Sequence, residues 1–343
     1  MRAFKSFLFK LALVAAIALP GMVGANQDGI AKTKLNEDYF LSGPYSHDNL
    51  TVFLVHGKEK ISGKKILSLT EAMDKKVVTI HETGEVNRLM AQNHSADHFI
   101  FIQSGDIVKG GRQDRTLGQD VLLPPKSKKI ALDSFCVEQG RWHPRGPEQA
   151  ATFASSKKHL SSKELKLAAK KAKSQAEVWK AVADEQERLS RKVGKSVKSS
   201  ASETSLQLSL EDGAVEAESR KYQRALLPAA QAQNDAVGFA YAVNGAFVAA
   251  DIYGHPDLFQ KLWPKLIEAV SCEAAARPMP AQASAPPDME IVKTGILEGL
   301  SKPKAPEPSD EFTRRATSES KNHDTFETKD EKGQLVHLNV IKK

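Results

Sequence analysis

Cysteine is nearly missing from this sequence: 343 residues carry two, Cys136 and Cys272. Two thiols cannot build a disulfide framework, although an oxidising compartment leaves room for one bridge. Long apolar runs are missing after the first 25 residues, so no membrane span is expected in the rest of the chain. Several motifs are absent too. There is no Gly-x-Ser-x-Gly elbow, no Cys-x-x-Cys pair, no dinucleotide fingerprint and no P-loop, which leaves the common enzyme classes without support. A large charge surplus is also lacking. Setting aside Arg2, Lys5 and Lys10 leaves 46 basic against 42 acidic residues, too small an excess to argue for nucleic acid.

The N-terminus is informative. Arg2, Lys5 and Lys10 lie before or at the edge of the apolar run Leu11 to Leu19, followed by Pro20 and then Val23-Gly24-Ala25. That order is expected of a signal peptide, residues 1–25, cleaved after Ala25 to give a periplasmic or extracellular product.

Residues 26–48 read as an N-terminal extension. The β-rich stretch 49–145 follows, with short runs at Leu50 to Val55, Val77 to His81, His98 to Gln103, Asp120 to Leu123 and Ile130 to Val137. A helical and hairpin part, 160–276, comes next. Its long amphipathic helix is expected from Ser162 to Arg191, with a capping box at Ser161 and Glu164 and an apolar face of Leu165, Ala168, Ala172, Ala176, Trp179, Val182 and Leu189. Thirteen basic residues against five acidic ones between Lys157 and Lys198 read as a solvated face. Residues 190–205 read as a mobile connection, and a second helical stretch, Leu208 to Ala232, is interrupted at Pro228. The alternation from Val237 to Val243, the pair Asn244-Gly245 and the return from Phe247 to Tyr253 spell a hairpin. His255-Pro256-Asp257 then opens a helix in which Pro264 forces a kink or a restart. Seven prolines make 277–311 an extended linker with a short helix near Ile291 to Leu300. The tail, 312–343, carries a hairpin around Asp330 to Gly333. The fold class expected is therefore α+β: a sandwich-like β-rich N-terminal part, a long helix, then a hairpin and helix packed on the core.

Two segments concentrate chemistry. Gly105 to Arg115 combines glycines, which let backbone N–H groups approach an anion, with the charges of Lys109, Arg112, Asp114 and Arg115; its plain reading is a charged hairpin turn. Phe135 to Trp142 places Cys136 and Glu138 near Arg141 and His143. A thiol there is either a lowered-pKa nucleophile or an inert core residue. His94 and His98 stand four apart but on a turn, so no metal is expected, and no cofactor either.

Gly105 to Arg115, Leu122-Leu123-Pro124-Pro125-Lys126-Ser127 and Cys136 to Trp142, followed by Glu177-Val178-Trp179 and Gly238-Phe239-Ala240, resemble the ARG and Rhodanese-Phosphatase-superfamily-associated protein domain. That family is named for gene neighbours that include ADP-ribosylglycohydrolases. The resemblance covers residues 49–276 and implies a compact domain with one shared site, without fixing an activity. Two readings follow. In one, Lys109, Arg112, Asp114, Arg115 and Arg141 bind a small anionic ligand or a protein partner. In the other, Cys136 is the nucleophile of a hydrolase or transferase acting on a phosphate-bearing, ADP-ribose-related substrate, with Glu138 or His143 carrying the proton.

Overall fold

The computed structural model describes residues 31–160, 162–231, 233–278 and 286–343. The segment 1–25, expected to be a signal peptide, and Ser161 lie outside these residues. In chain order the first half contains β1 (Thr33–Lys34), β2 (Tyr39–His47), β3 (Leu50–Gly57), β4 (Lys65–Ser68), α1 (Leu69–Asp74), β5 (Val78–Glu82), β6 (Arg88–Asn93), β7 (His98–Ile102), β8 (Asp106–Gly110), β9 (Arg115–Leu117), β10 (Val121–Leu123), β11 (Ile130–Cys136) and β12 (Phe153–Leu160). The second half contains α2 (Lys163–Leu167), a π-helical turn (Ala168–Ala172), α3 (Gln175–Val193), α4 (Leu206–Leu210), α5 (Gly213–Leu226), α6 (Pro228–Gln231), β13 (Ala236–Val243), β14 (Ala246–Tyr253), α7 (Pro256–Ala276), α8 (Met289–Leu300), β15 (Ala305–Pro306), β16 (Thr313–Glu319), β17 (His323–Asp330) and β18 (Leu335–Lys342).

The fold is α+β. Nine antiparallel strands form the largest sheet, in the order β1-β2-β3-β13-β14-β18-β17-β16-β15. Its centre is the expected hairpin: Asn244 and Gly245 both take positive φ, and β13 is buried along its whole length. Strands buried on both faces need two covers. On one face α7 lays down Leu258, Phe259, Leu262, Trp263, Leu266 and Ile267 against Leu50, Val52, Phe239 and Tyr241. On the other, Val292 and Ile296 of α8 meet Phe53, Val55, Phe247 and Val340.

That second cover corrects the extended-linker expectation for 277–311. The prolines bracket a helix that the sheet requires, and Gly295 and Gly299 let it come close: a Cβ on Gly299 would lie 2.4 Å from Val340. The tail and extension are also integral, since β2 and β16 to β18 are strands of this sheet and the hairpin turn closes at Gly333 with φ of 80°.

The remaining β segments build a three-stranded sheet, β10-β7-β4, and a six-stranded one, β12-β8-β9-β11-β6-β5. They share a core of Ile80, Leu89, Ile100, Ile102, Val108, Leu117 and Leu132. The single long helix is corrected. It is broken by the π turn and by Lys173, which takes a left-handed φ of 49°, before Ser174 caps α3 through its side chain. The break rotates the helix face, so Ala172 and Ala176 are exposed and Trp179 is half-buried, while Val178, Val182 and Leu189 pack inward. Residues 190–205 are likewise held, with Val197 and Ser205 buried and Gln186 donating to the Glu203 carbonyl at 2.9 Å. Pro264 sits inside α7 without a restart. Both cysteines are buried and free, so they form no bridge.

Candidate functional site

The turn between β8 and β9 and the chain leaving β11 are neighbours because β9 and β11 pair with Arg115 opposite Cys136. Val137 N–H then donates to the Asp114 carbonyl at 3.0 Å, and the Gln113 side-chain amide to the Glu138 carbonyl at 2.8 Å. Cys136 ends the strand, so Glu138 lies beyond it and does not share a strand face with the thiol.

This contact assembles a buried ion-pair cluster. Asp114 and Glu138 are fully buried. Arg141 reaches Glu138 Oε2 at 2.7 Å and Asp114 Oδ1 at 3.4 Å. Arg145, which the sequence did not single out, forks onto both Asp114 oxygens at 2.9 and 2.7 Å and touches Glu148 at 3.0 Å and Ser205 Oγ at 3.0 Å. The Gly110 amide donates to Asp114 Oδ1 at 3.1 Å. Arg115 is buried, donating to the Gln113 carbonyl at 3.1 Å and standing 3.7 Å from Glu82. Counted over these contacts, Glu82, Asp114, Glu138 and Glu148 face only Arg115, Arg141 and Arg145. No positive charge is left over. Burial pushes Asp114 up against the opposing pull of Arg145. It pushes Glu138 up as well, but the hydrogen bond from Arg141 and the charge of Arg145 outweigh it and hold that carboxyl low.

The other candidates are placed differently. Arg112 is exposed and joins only through its amide, 3.2 Å from Glu82. His143 is exposed and offers its carbonyl to Arg141. Cys136 is fully buried, its amide and carbonyl both bound by the side chain of Gln175 at 2.8 Å. Burial pushes its thiol up to about 11, with the Arg115 charge opposing too weakly to reverse it. Lys109 points away from the cluster and binds Glu211 at 2.6 Å.

Lys109 belongs to a cleft of about 570 Å³ that adjoins the cluster at Gly110 and Glu148. Phe153, Thr152, Gln149, Gln207 and Glu211 complete its main walls. Gly111, with φ of 56°, is required here, because a Cβ would fall 2.3 Å from the Phe153 ring. Of these lining residues Lys109 and Gly110 lie in a motif that the sequence singles out; Phe153 on β12, Gln207 on α4 and Glu211 just past it carry no functional signal in the sequence.

A second buried cluster also escaped the sequence. His337 lies between Asp120, 2.8 Å from Nδ1, and Asp251, 3.0 Å from Nε2. Lys170, in the π turn, stands 3.8 Å from Asp120 and 4.5 Å over the Phe326 ring. Burial disfavours the imidazolium, yet the Asp120 and Asp251 charges outweigh it and raise the His337 pKa. Among the described residues no group of His, Cys, Asp and Glu is arranged to hold a metal ion, and no helix is long and apolar enough to cross a membrane.

Fold and site together define an α+β domain in which a buried arginine–carboxylate cluster, with no arginine to spare, adjoins a polar cleft. The chain belongs to the family of the ARG and Rhodanese-Phosphatase-superfamily-associated Protein domain (ARPP-1), whose model matches residues 38–341. The match exceeds the span 49–276 expected from the sequence, as it should when β2 and β16 to β18 are strands of one sheet. No curated protein and no solved structure matches the chain.

Proposed function

We propose that this chain is a small-molecule-binding domain, with the cleft beside the arginine cluster as its site, acting after export. The observation that carries this reading is the contrast between an open polar cleft and a thiol held protonated inside the core. A cleft of this size, with Phe153 beside the polar side chains of Lys109, Glu148, Gln149, Gln207 and Glu211, fits a small ligand. Of the arginines expected to meet an anion, Arg141 is engaged by Glu138 and Asp114 and Arg115 stands beside Glu82, while Arg112 is exposed; together with Arg145, Arg141 holds the two loops beside the cleft. Export is supported by the order of basic, apolar and small residues from Arg2 to Ala25.

The Cys136-dependent hydrolase or transferase is the weaker reading. A nucleophilic thiol needs a lowered pKa and access, and Cys136 has neither. The two separate in one assay. Wild type and Cys136→Ser, incubated with p-nitrophenyl phosphate and with ADP-ribose, should show no thiol-dependent turnover; wild-type turnover abolished by the substitution would establish the enzyme.

A further inference from the structure

Lys170 is a buried amine that the cleft at Lys109 does not use. It sits in the middle of the π-helical turn, a geometry that is rare and gathers at functional sites. Its side chain is 8% exposed, and its Nζ stands 3.8 Å from Asp120, beyond hydrogen-bond reach. Among the described residues Nζ donates no hydrogen bond, yet it is not one of the sealed side-chain atoms without a partner, so it keeps an opening.

Two clefts meet at this opening. One, of about 60 Å³, has Asp120 in its wall, and the other, of about 330 Å³, runs along Lys171, Glu319 and Asp324. Both are lined by Lys170, Glu307 and Phe326, and the ammonium lies 4.5 Å over the Phe326 ring. Among the described residues neither shares a lining residue with the cleft at Lys109.

Burial lowers the Lys170 pKa, with the charges of Asp120 and Asp251 opposing, and this enlarges the share of free amine. A desolvated lysine amine is a nucleophile toward a carbonyl carbon. The walls of the larger cleft select among carbonyl compounds. Glu307, Glu319 and Asp324 face only Lys171 besides Lys170, and Lys171 is already held by Glu319 and Asp324 at 2.9 Å each. An anionic carbonyl compound meets a surplus of negative charge there, whereas an uncharged one does not.

We propose that the groove at Lys170 is a second site, which takes a small uncharged aldehyde and holds it as an imine on the Lys170 amine. The nitrogen attacks the carbonyl carbon to give a carbinolamine, and a C=N bond then forms as the former carbonyl oxygen leaves as water with both amine hydrogens. The step needs no oxidant or reductant, and it does not depend on the cleft at Lys109 being a ligand site.

Reductive trapping tests it. The full chain is incubated briefly at pH 7 with glycolaldehyde, and separately with glyoxylate, reduced with sodium borohydride and mapped by peptide mass spectrometry. With glycolaldehyde Lys170 should carry the adduct about tenfold or more above the exposed Lys198, and glyoxylate should label it less. The preference should vanish when the mapping is repeated in denaturant, a comparison that needs no variant. Lys170→Met, checked for folding by its thermal midpoint, should lose this adduct alone. Labelling of native Lys170 no greater than that of Lys198 would overturn the site. Labelling of Lys170 by glyoxylate at or above the level with glycolaldehyde would overturn the uncharged class.

Discussion

Cys136 and Arg145 act in opposite ways at one junction. The thiol is packed away, its strand end clamped by Gln175, so Ellman's reagent should label it only after unfolding; labelling of the native protein at the rate of a free thiol would contradict its burial. Arg145 is a partner that the cluster cannot lose. Arg145→Ala leaves Asp114 buried with one guanidinium contact at 3.4 Å in place of three, and should cost about 3 kcal/mol in urea unfolding. A change below about 0.5 kcal/mol would show the cluster to be wetter than described. His337 gives a signed test at the second cluster. Its pKa is raised by folding, so its stabilisation is present below the unfolded value, about 6.5, and is lost as pH rises through the folded value. The stability difference between wild type and His337→Asn should therefore shrink on going from pH 6 to pH 9. Growth of that difference would refute the pairing with Asp120 and Asp251. At this scale the sequence was legible where charge density was high, at Asp114, Glu138 and Arg141. Gln207, Glu211 and Arg145 gave no signal, because single polar residues outside a dense charge cluster look like any solvated surface until the fold brings them together.

Elements were legible in proportion to their local periodicity. The hairpin of β13 and β14 was readable because Asn244-Gly245 dictates its turn, and β3, β5, β7 and β11 because each is a short apolar run between turn residues. The sequence pattern from Ser162 to Arg191 looks like one continuous helix because a left-handed residue such as Lys173 leaves no mark in a Lys/Ala-rich stretch. α8 was visible only as a short helical run inside proline-rich sequence, and what gives it its place is the sheet face it covers. Its glycines test that account. Gly299→Ala would drive a methyl group against Val340 and disturb the carbonyl that accepts from Thr325 at 2.8 Å, costing about 1 to 3 kcal/mol. An unchanged urea midpoint would mean that α8 does not sit on the sheet.

The whole molecule is tied together by a sheet that draws strands from both ends of the described chain. Domain boundaries read from composition placed 277–343 outside the domain, because non-local strand pairing leaves no trace in local sequence. A chain ending at Ala276 would leave β14 without β18 and remove Val336, Leu338, Val340 and Ile341 from the core. It should fail to unfold cooperatively, whereas a sharp transition equal to that of the full chain would restore the shorter domain. The proposal of export is checked by sequencing the N-terminus of protein recovered outside the cytoplasm, which should begin at Asn26. The central claim is that ligand binding occurs in the cleft and not at the thiol. Amide chemical-shift mapping of the labelled protein, titrated with a small-molecule metabolite extract, tests it most directly. The shifts should cluster at Lys109, Gly110, Gln149 and Gln207. Shifts confined to Cys136 and Gln175, or scattered without reaching the cleft, would contradict it.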